Sequence, residues 1–231
     1  VSRQGPADEQ VTALAHAAAA APSMHNAQPW LFRYFRRSRT FEIRADFERT
    51  MPHSDPDTRG LHIGCGAALL NLRVAVAHEG WYPETRLLPD PTDRTLVASV
   101  RLTGSATDGS ELGALYPAIH QRHSSRYPFE EREIPDPVRE ALSAAAHVEG
   151  ATLTFPTSWH LKEVLELVQE AEARNITDPG RDQDLARWTR IDAPSVGTAD
   201  DGVPHYAFGP RKRGGQGPHA RLRGPPEGGG P

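Results

Sequence analysis

Cysteine is almost absent from this sequence: Cys65 is the single one among 231 residues. A disulfide framework and a cysteine-based zinc site are both excluded. Lysine is nearly as scarce, since Lys162 and Lys212 are the two lysines among 26 basic residues. That arginine bias reads as the codon usage of a GC-rich genome rather than as a binding signal. No charge of one sign dominates. The formal net charge is -4, which gives no electrostatic reason to expect nucleic acid as a partner. A long uninterrupted apolar run is also missing. The longest, Leu61 to Ala77, is broken by His62, Asn71 and Arg73, so it predicts a buried helix of a soluble protein and no membrane partner. The first residues lack a basic segment followed by an apolar one, so no secretory signal is predicted and a soluble cytoplasmic protein is the expectation. What is present is a chain with 37% hydrophobic residues, long enough to bury a core in one or two domains.

Local patterns predict helices and strands in alternation. Val11, Leu14, Ala15 and Ala18 share one helical face, predicting a helix over 8–20 that Pro22 ends. Leu31 to Phe35 and Phe41 to Ala45 read as two strands joined by a turn at Arg36 to Arg39. A helix should start near Asp57 or Thr58 and stop at Gly80. It is apolar nearly all round, which predicts a central helix covered on every side. Thr95 to Leu102 alternates like a strand, and Thr103 to Ser110 is a polar linker. A second unit begins near Glu111. Helices are predicted around Leu112 to Ile119, from Asp136-Pro137 through Ala146, from Thr157 or Ser158 past Val168, and around Leu185 and Trp188. Ala151 to Phe155 reads as a strand. Residues 211–231 hold seven Gly, four Pro, five Arg or Lys and one large apolar residue, Leu222. Such a tail cannot build a core and is expected to be disordered.

Two polar segments could carry chemistry. Pro22-Ser23-Met24-His25-Asn26-Ala27-Gln28-Pro29-Trp30 is a helix stop, a short polar loop and a strand start. Its Ser, Asn and Gln can hydrogen-bond a planar polar ligand or their own backbone. Local physics favours the second, a helix terminus with capping side chains. Arg122-His123-Ser124-Ser125-Arg126 is a compact anion site by composition, because guanidinium groups pair bidentately with phosphate oxygens and a hydroxyl adds a donor. A solvated turn between two helices fits that composition equally well. Other signals are weaker. His120 and His123 could share a helix face, but no carboxylate stands at ligand spacing, so no metal site is expected. Cys65 reads as an inert packed thiol. Asn175-Ile176-Thr177 matches a glycosylation sequon without a secretory signal to make it relevant.

Together the two segments resemble a known pair. Pro22 to Trp30 is similar to the P-S-x-x-N-x-Q-P-W motif of the nitroreductase family of FMN-dependent oxidoreductases. Arg122 to Arg126 is similar to that family's Arg-Ser motif, which grips the FMN phosphate. Gly66 to Ala75 resembles its long central helix. The order of the motifs, with the Tyr127-Pro128-Phe129 continuation, resembles the Acg-type branch, in which two nitroreductase-like halves are fused in one chain. The resemblance covers about residues 8–210. It implies an α+β nitroreductase-like fold, a mixed sheet flanked by helices. The first half would span 1–107, and the second, incomplete half 108–210. The pattern stops where the 211–231 tail begins, which is what truncation or a shifted reading frame would produce.

The resemblance also implies a function. Arg122, His123, Ser124 and Arg126 would hold the FMN phosphate. Pro22, Ser23 and Met24 would pack near the isoalloxazine, with Asn26 there or bracing the loop. Each half keeps the part of the site that the other lacks, which implies one composite site in a pseudo-dimeric monomer. A homodimer sharing the site in trans is the alternative. The implied activity is that of a bacterial, cytoplasmic flavoprotein, reducing small electrophiles such as nitroaromatics or quinones with NAD(P)H. The flavin carries the redox chemistry, so no catalytic side chain is assigned. A flavin-storing protein without turnover and an inactive truncated gene product are the competing expectations.

Overall fold

The computed structural model describes residues 5–104, 110–125, 127, 129–130, 132–190, 201–204 and 207. They divide into two units. Val1–Ser125 together with Gly180–Ala207 forms the first, and Arg126–Pro179 with Phe208–Pro231 the second.

The first unit is α+β. Its order is α1 (Asp8–Ala19), β1 (Trp30–Phe35), β2 (Thr40–Ala45), α2 (Arg59–His78), β3 (Tyr82–Leu87), β4 (Leu96–Thr103), α3 (Ser110–Ala114) and α4 (Tyr116–Gln121). The four strands form one antiparallel sheet in the order β1-β2-β4-β3. Alternation decides which face is covered. Phe41, Ile43 and Ala45 of β2 and Ala98, Val100 and Leu102 of β4 are buried. They join Leu61, Cys65, Ala68, Leu69, Leu72 and Val76 of α2 and Leu14 and Ala18 of α1 in one core. Period 2 in the strands and period 3.6 in the helices bring these apolar sets onto facing surfaces. Asn71 on α2 donates to the Ala17 carbonyl at 3.1 Å, satisfying a carbonyl near the end of α1.

Several expectations need correction. The α2 helix is not covered all round, because Ile63 is 64% exposed and Gly66 faces outward. It starts at Arg59, with Thr58 at the N-cap position as expected, but the Thr58 side chain makes no cap hydrogen bond. The Asp55 carboxylate instead accepts from the Gly60 and Leu61 amides, both at 2.9 Å. At its other end Gly80 does cap, with φ +77 and the Trp81 amide donating to the Val76 carbonyl at 3.0 Å. The strand β3 was not predicted. It pairs with β4 only, is mostly polar and contains Pro83, all features of an edge strand.

In the second unit, α5 (Asp136–Val148) and α6 (Ser158–Ile176) are amphipathic helices. Gly150, at φ +74, caps α5, and the Arg139 guanidinium lies 4.7 Å over the Phe155 ring. Ala151 to Phe155, expected as a strand, has no strand partner among the described residues. The chain re-enters the first unit at Gly180: a short α7 (Pro179–Trp188) leads into β5 (Thr189–Arg190), which pairs in parallel with β6 (Val203–Pro204). The 211–231 tail lies outside the described residues.

Candidate functional site

The loop between α1 and β1 is held in an unusual backbone form. Pro22 is exposed, and Met24–Asn26 makes a single tight turn. His25, Asn26 and Gln28 have φ of +49, +53 and +50, left-handed values that non-glycine residues rarely adopt. Such strain persists only where neighbours over-determine it. Here the Ser23 hydroxyl oxygen accepts from the Gln28 amide at 2.9 Å. The Asn26 and Ala27 amides donate to the Ser23 and Met24 carbonyls, each at 3.0 Å. Pro29 is buried, and its carbonyl accepts from the Asp46 amide at 3.1 Å and from the Cys65 thiol at 3.2 Å. Burial pushes the Cys65 thiol up to about 12, so it stays protonated.

Two glycines of α2 let the loop approach. A Cβ at Gly60 would lie 2.7 Å from Met24 Cε, and one at Gly64 would lie 3.2 Å from Ser23 Cβ. Neither glycine was singled out from the sequence. Their i, i+4 spacing on one helix face is the signal that could have found them. Between the loop, Arg49–Met51 and the start of α2 lies a cavity of about 10 Å³. It has room for a water and not for an aromatic ring.

Residues 180–190 and 201–204 close over the same region. Asp184, 6% exposed, accepts from the His53 and Ser54 amides at 3.0 and 2.8 Å. Arg187 donates to the Glu48 carbonyl at 2.6 Å. Trp188 is 4% exposed and packs with Ala27, Met51 and Met24, its indole N–H without a hydrogen-bond partner among the described residues. Asn26 and Gly202 exchange two bonds: the Gly202 amide donates to the Asn26 carbonyl at 3.0 Å, and Asn26 Nδ2 donates to the Gly202 carbonyl at 3.1 Å. Arg49 donates to the Ala27 carbonyl at 2.9 Å and to Asp201 Oδ2 at 2.8 Å. Arg190 takes the other Asp201 oxygen at 2.6 Å. That hydrogen bond first, and then Arg49, hold the Asp201 carboxyl below the usual range, against the opposing effect of burial. Nothing local in the sequence marks these partners, because the contacts join positions up to 176 residues apart.

The expected phosphate group falls partly in this unit. Arg122 follows α4, and its guanidinium reaches the Ser124 hydroxyl at 3.2 Å and the Ala20 carbonyl at 3.4 Å. Arg122, His123 and Ser124 are exposed. Arg126 lies outside the described residues. The end of α1 thus brings Arg122 close to the start of the Pro22–Trp30 loop.

Comparison with known proteins places the chain among relatives. The Mycobacterium tuberculosis protein named "Putative NAD(P)H nitroreductase Rv3131" is 31% identical over 184 residues, covering 80% of this chain and 52% of the relative. "Putative NAD(P)H nitroreductase acg" of the same organism is 28% identical over 190 residues, 81% of this chain and 55% of the relative. The chain resembles the nitroreductase family. It spans about half the length of the curated nitroreductase relatives it matches. No protein-family model matches the chain. A crystal structure of a "Putative NADH dehydrogenase/NAD(P)H nitroreductase" from Parabacteroides distasonis aligns with 46% of this chain and 80% of its own, at 16% identity and a TM-score of 0.37. Within the nitroreductase family reading, Ser23, Met24 and Asn26 sit on the strained loop, while Arg122, His123 and Ser124 stand at its approach.

Proposed function

We propose that this chain is the FMN-binding part of a soluble, cytoplasmic NAD(P)H-dependent oxidoreductase that reduces small electrophiles by two electrons. The observation that carries this reading is the Arg122 contact to Ala20, which brings the cationic Arg122–Ser124 corner to the approach of the Pro22–Trp30 loop. The donors suit a phosphate: an exposed guanidinium and a hydroxyl 3.2 Å apart can bind neighbouring anionic oxygens. Arg126, four residues on, would add a second cation. Pro22, Ser23 and Met24 would take one face of the ring. The cavity of about 10 Å³ is too small for that ring, so it would lie on the exposed side of the loop. Bound FMN would supply hydride acceptance from NAD(P)H and delivery to a nitroaromatic or quinone. The chain's own residues would orient the ring and neutralise the phosphate. Absorption spectra of the purified protein before and after incubation with FMN test this. A flavin spectrum with NADPH oxidation dependent on added quinone is expected. A protein that remains colourless refutes it.

A second reading is storage of FMN without turnover. The bracing of the loop by Asp201 and Gly202 favours it, since a braced loop limits access to the ring. Bound flavin with no quinone-dependent oxidation of NADPH would select this reading.

A further inference from the structure

The strained loop and the segment that closes on it meet at one carboxylate. Asp201 places one oxygen 2.8 Å from Arg49 Nη1 and the other 2.6 Å from Arg190 Nη2. The same Arg49 nitrogen donates to the Ala27 carbonyl inside the loop. The next residue, Gly202, exchanges two hydrogen bonds with Asn26, also inside the loop. Gly202 is at φ +81, and a Cβ there would lie 3.0 Å from the Trp188 carbonyl. A side chain would therefore meet both backbone strain and a fixed carbonyl. We propose that Asp201 is a positioning residue: by bridging Arg49 and Arg190 it holds Gly202 against Asn26 and so fixes the backbone of Met24–Gln28 in the form that receives the flavin ring. The cofactor part rests on the reading given under Proposed function.

The physical argument is one of over-determination. Three left-handed non-glycine residues in one short loop would relax to ordinary φ values if released. Bonds within the loop come from Ser23 and Met24, which belong to the loop and move with it. External anchors among the described residues include Arg49 at Ala27 and Gly202 at Asn26; Asp201 bonds Arg49 and immediately precedes Gly202, while Asp46, 3.3 Å from Arg49 Nε, gives Arg49 a second carboxylate partner. A charge-assisted bridge between two guanidinium groups is stronger and more directional than a neutral contact. Removing the charge should loosen both anchors together, while the core of α2 and the sheet stays as it is.

The test compares Asp201→Asn, Asp201→Glu and Arg187→Ala in the full chain. Arg187 bonds the same segment to Glu48 without touching the loop, so it controls for general loosening. Amide exchange of Asn26, Ala27 and Gln28 in flavin-free protein is the first readout, with Leu72 and Val76 as core references. Asp201→Asn should speed loop exchange by about tenfold or more, leaving the core amides and the Arg187→Ala loop unchanged. Asp201→Glu should restore part of the protection. The second readout is flavin titration, where Asp201→Asn should weaken FMN and riboflavin equally, by about tenfold, because the loop faces the ring and not the phosphate. Unchanged loop exchange in Asp201→Asn overturns the proposal. Equal acceleration by Arg187→Ala also overturns it. Wild-type protein that binds no flavin overturns the cofactor part and the function above, while exchange still decides whether Asp201 sets the loop.

Discussion

Ser23 illustrates how much rests on single side chains. Its hydroxyl oxygen accepts from the part-buried Gln28 amide, and its Cβ touches the face opened by Gly64. Ser23→Ala should leave that N–H poorly satisfied and destabilise the protein by about 1–3 kcal/mol. Urea unfolding followed by tryptophan fluorescence measures it, and no change in midpoint would mean that water replaces the hydroxyl. Arg122 makes a different prediction. If its guanidinium pairs with phosphate, Arg122→Ala should weaken FMN by about ten- to a hundredfold, or roughly 1.5–3 kcal/mol, and leave riboflavin nearly unchanged. The same split is expected for Arg126→Ala. Equal loss for both ligands would make these arginines structural. Cys65 is predicted to be silent in the native state. Its burial raises the thiol to about 12, so at pH 8 the thiolate fraction is about one in ten thousand. A thiol reagent should label one group per chain promptly in denaturant and very slowly without it.

At the scale of elements, capping and edge chemistry decide boundaries that periodicity leaves loose. Asp55→Ala removes the acceptor for two first-turn amides of α2 and should lower stability by about 0.5–2 kcal/mol. Near β4, Asp93 accepts from the Thr95 amide and hydroxyl and pairs with Arg44 of β2 at 2.7 Å. The Thr95 hydroxyl first, then Arg44, bring the carboxyl down to about 2. A depressed carboxyl contributes stability above its unfolded value of about 3.9 and loses it as pH falls toward the folded value. The Tm difference between wild type and Asp93→Asn should therefore be largest near neutrality and shrink between about pH 4 and pH 2. A constant difference would show that the carboxylate's charge does not matter. Helices α1, α2, α5 and α6 and strands β1, β2 and β4 were legible because each repeats apolar residues at its own period. The strand β3 was not, since an edge strand with Pro83, Glu84 and Arg86 has no buried face to advertise. Asp55 escaped notice because its cap reaches forward across Pro56 to Gly60. The Pro22–Trp30 motif was legible as a resemblance, but its left-handed backbone was not. Neither were Asp184, Asp201 and Gly202, whose partners are set by the fold and not by neighbours in sequence.

For the whole molecule, the composite-site reading predicts a stoichiometry of at most one FMN per chain. Two sites would need two Arg-Ser motifs and two loops of the Pro22–Trp30 type, and the sequence holds one of each. The first unit runs from the loop through β4 and on to α3, α4 and Ser125. The reason is packing: a Cβ on Gly113 of α3 would lie 3.1 Å from the α2 backbone at Ala77 and His78, so α3 sits directly on the core helix and carries Arg122 with it. The loop and this corner of the phosphate group therefore belong to one unit of one chain, which favours assembly in cis. The opposing force is exposed apolar surface. Val138 and Leu142 of α5, and Trp159, Leu161 and Val164 of α6, are each more than 40% exposed, and such surface promotes association. Flavin titration combined with light scattering weighs the two. One FMN per monomeric particle agrees with the cis site. One FMN per chain in a dimer that loses its flavin on dilution to monomer would assign the site to both chains in trans, and two FMN per chain would refute the single composite site.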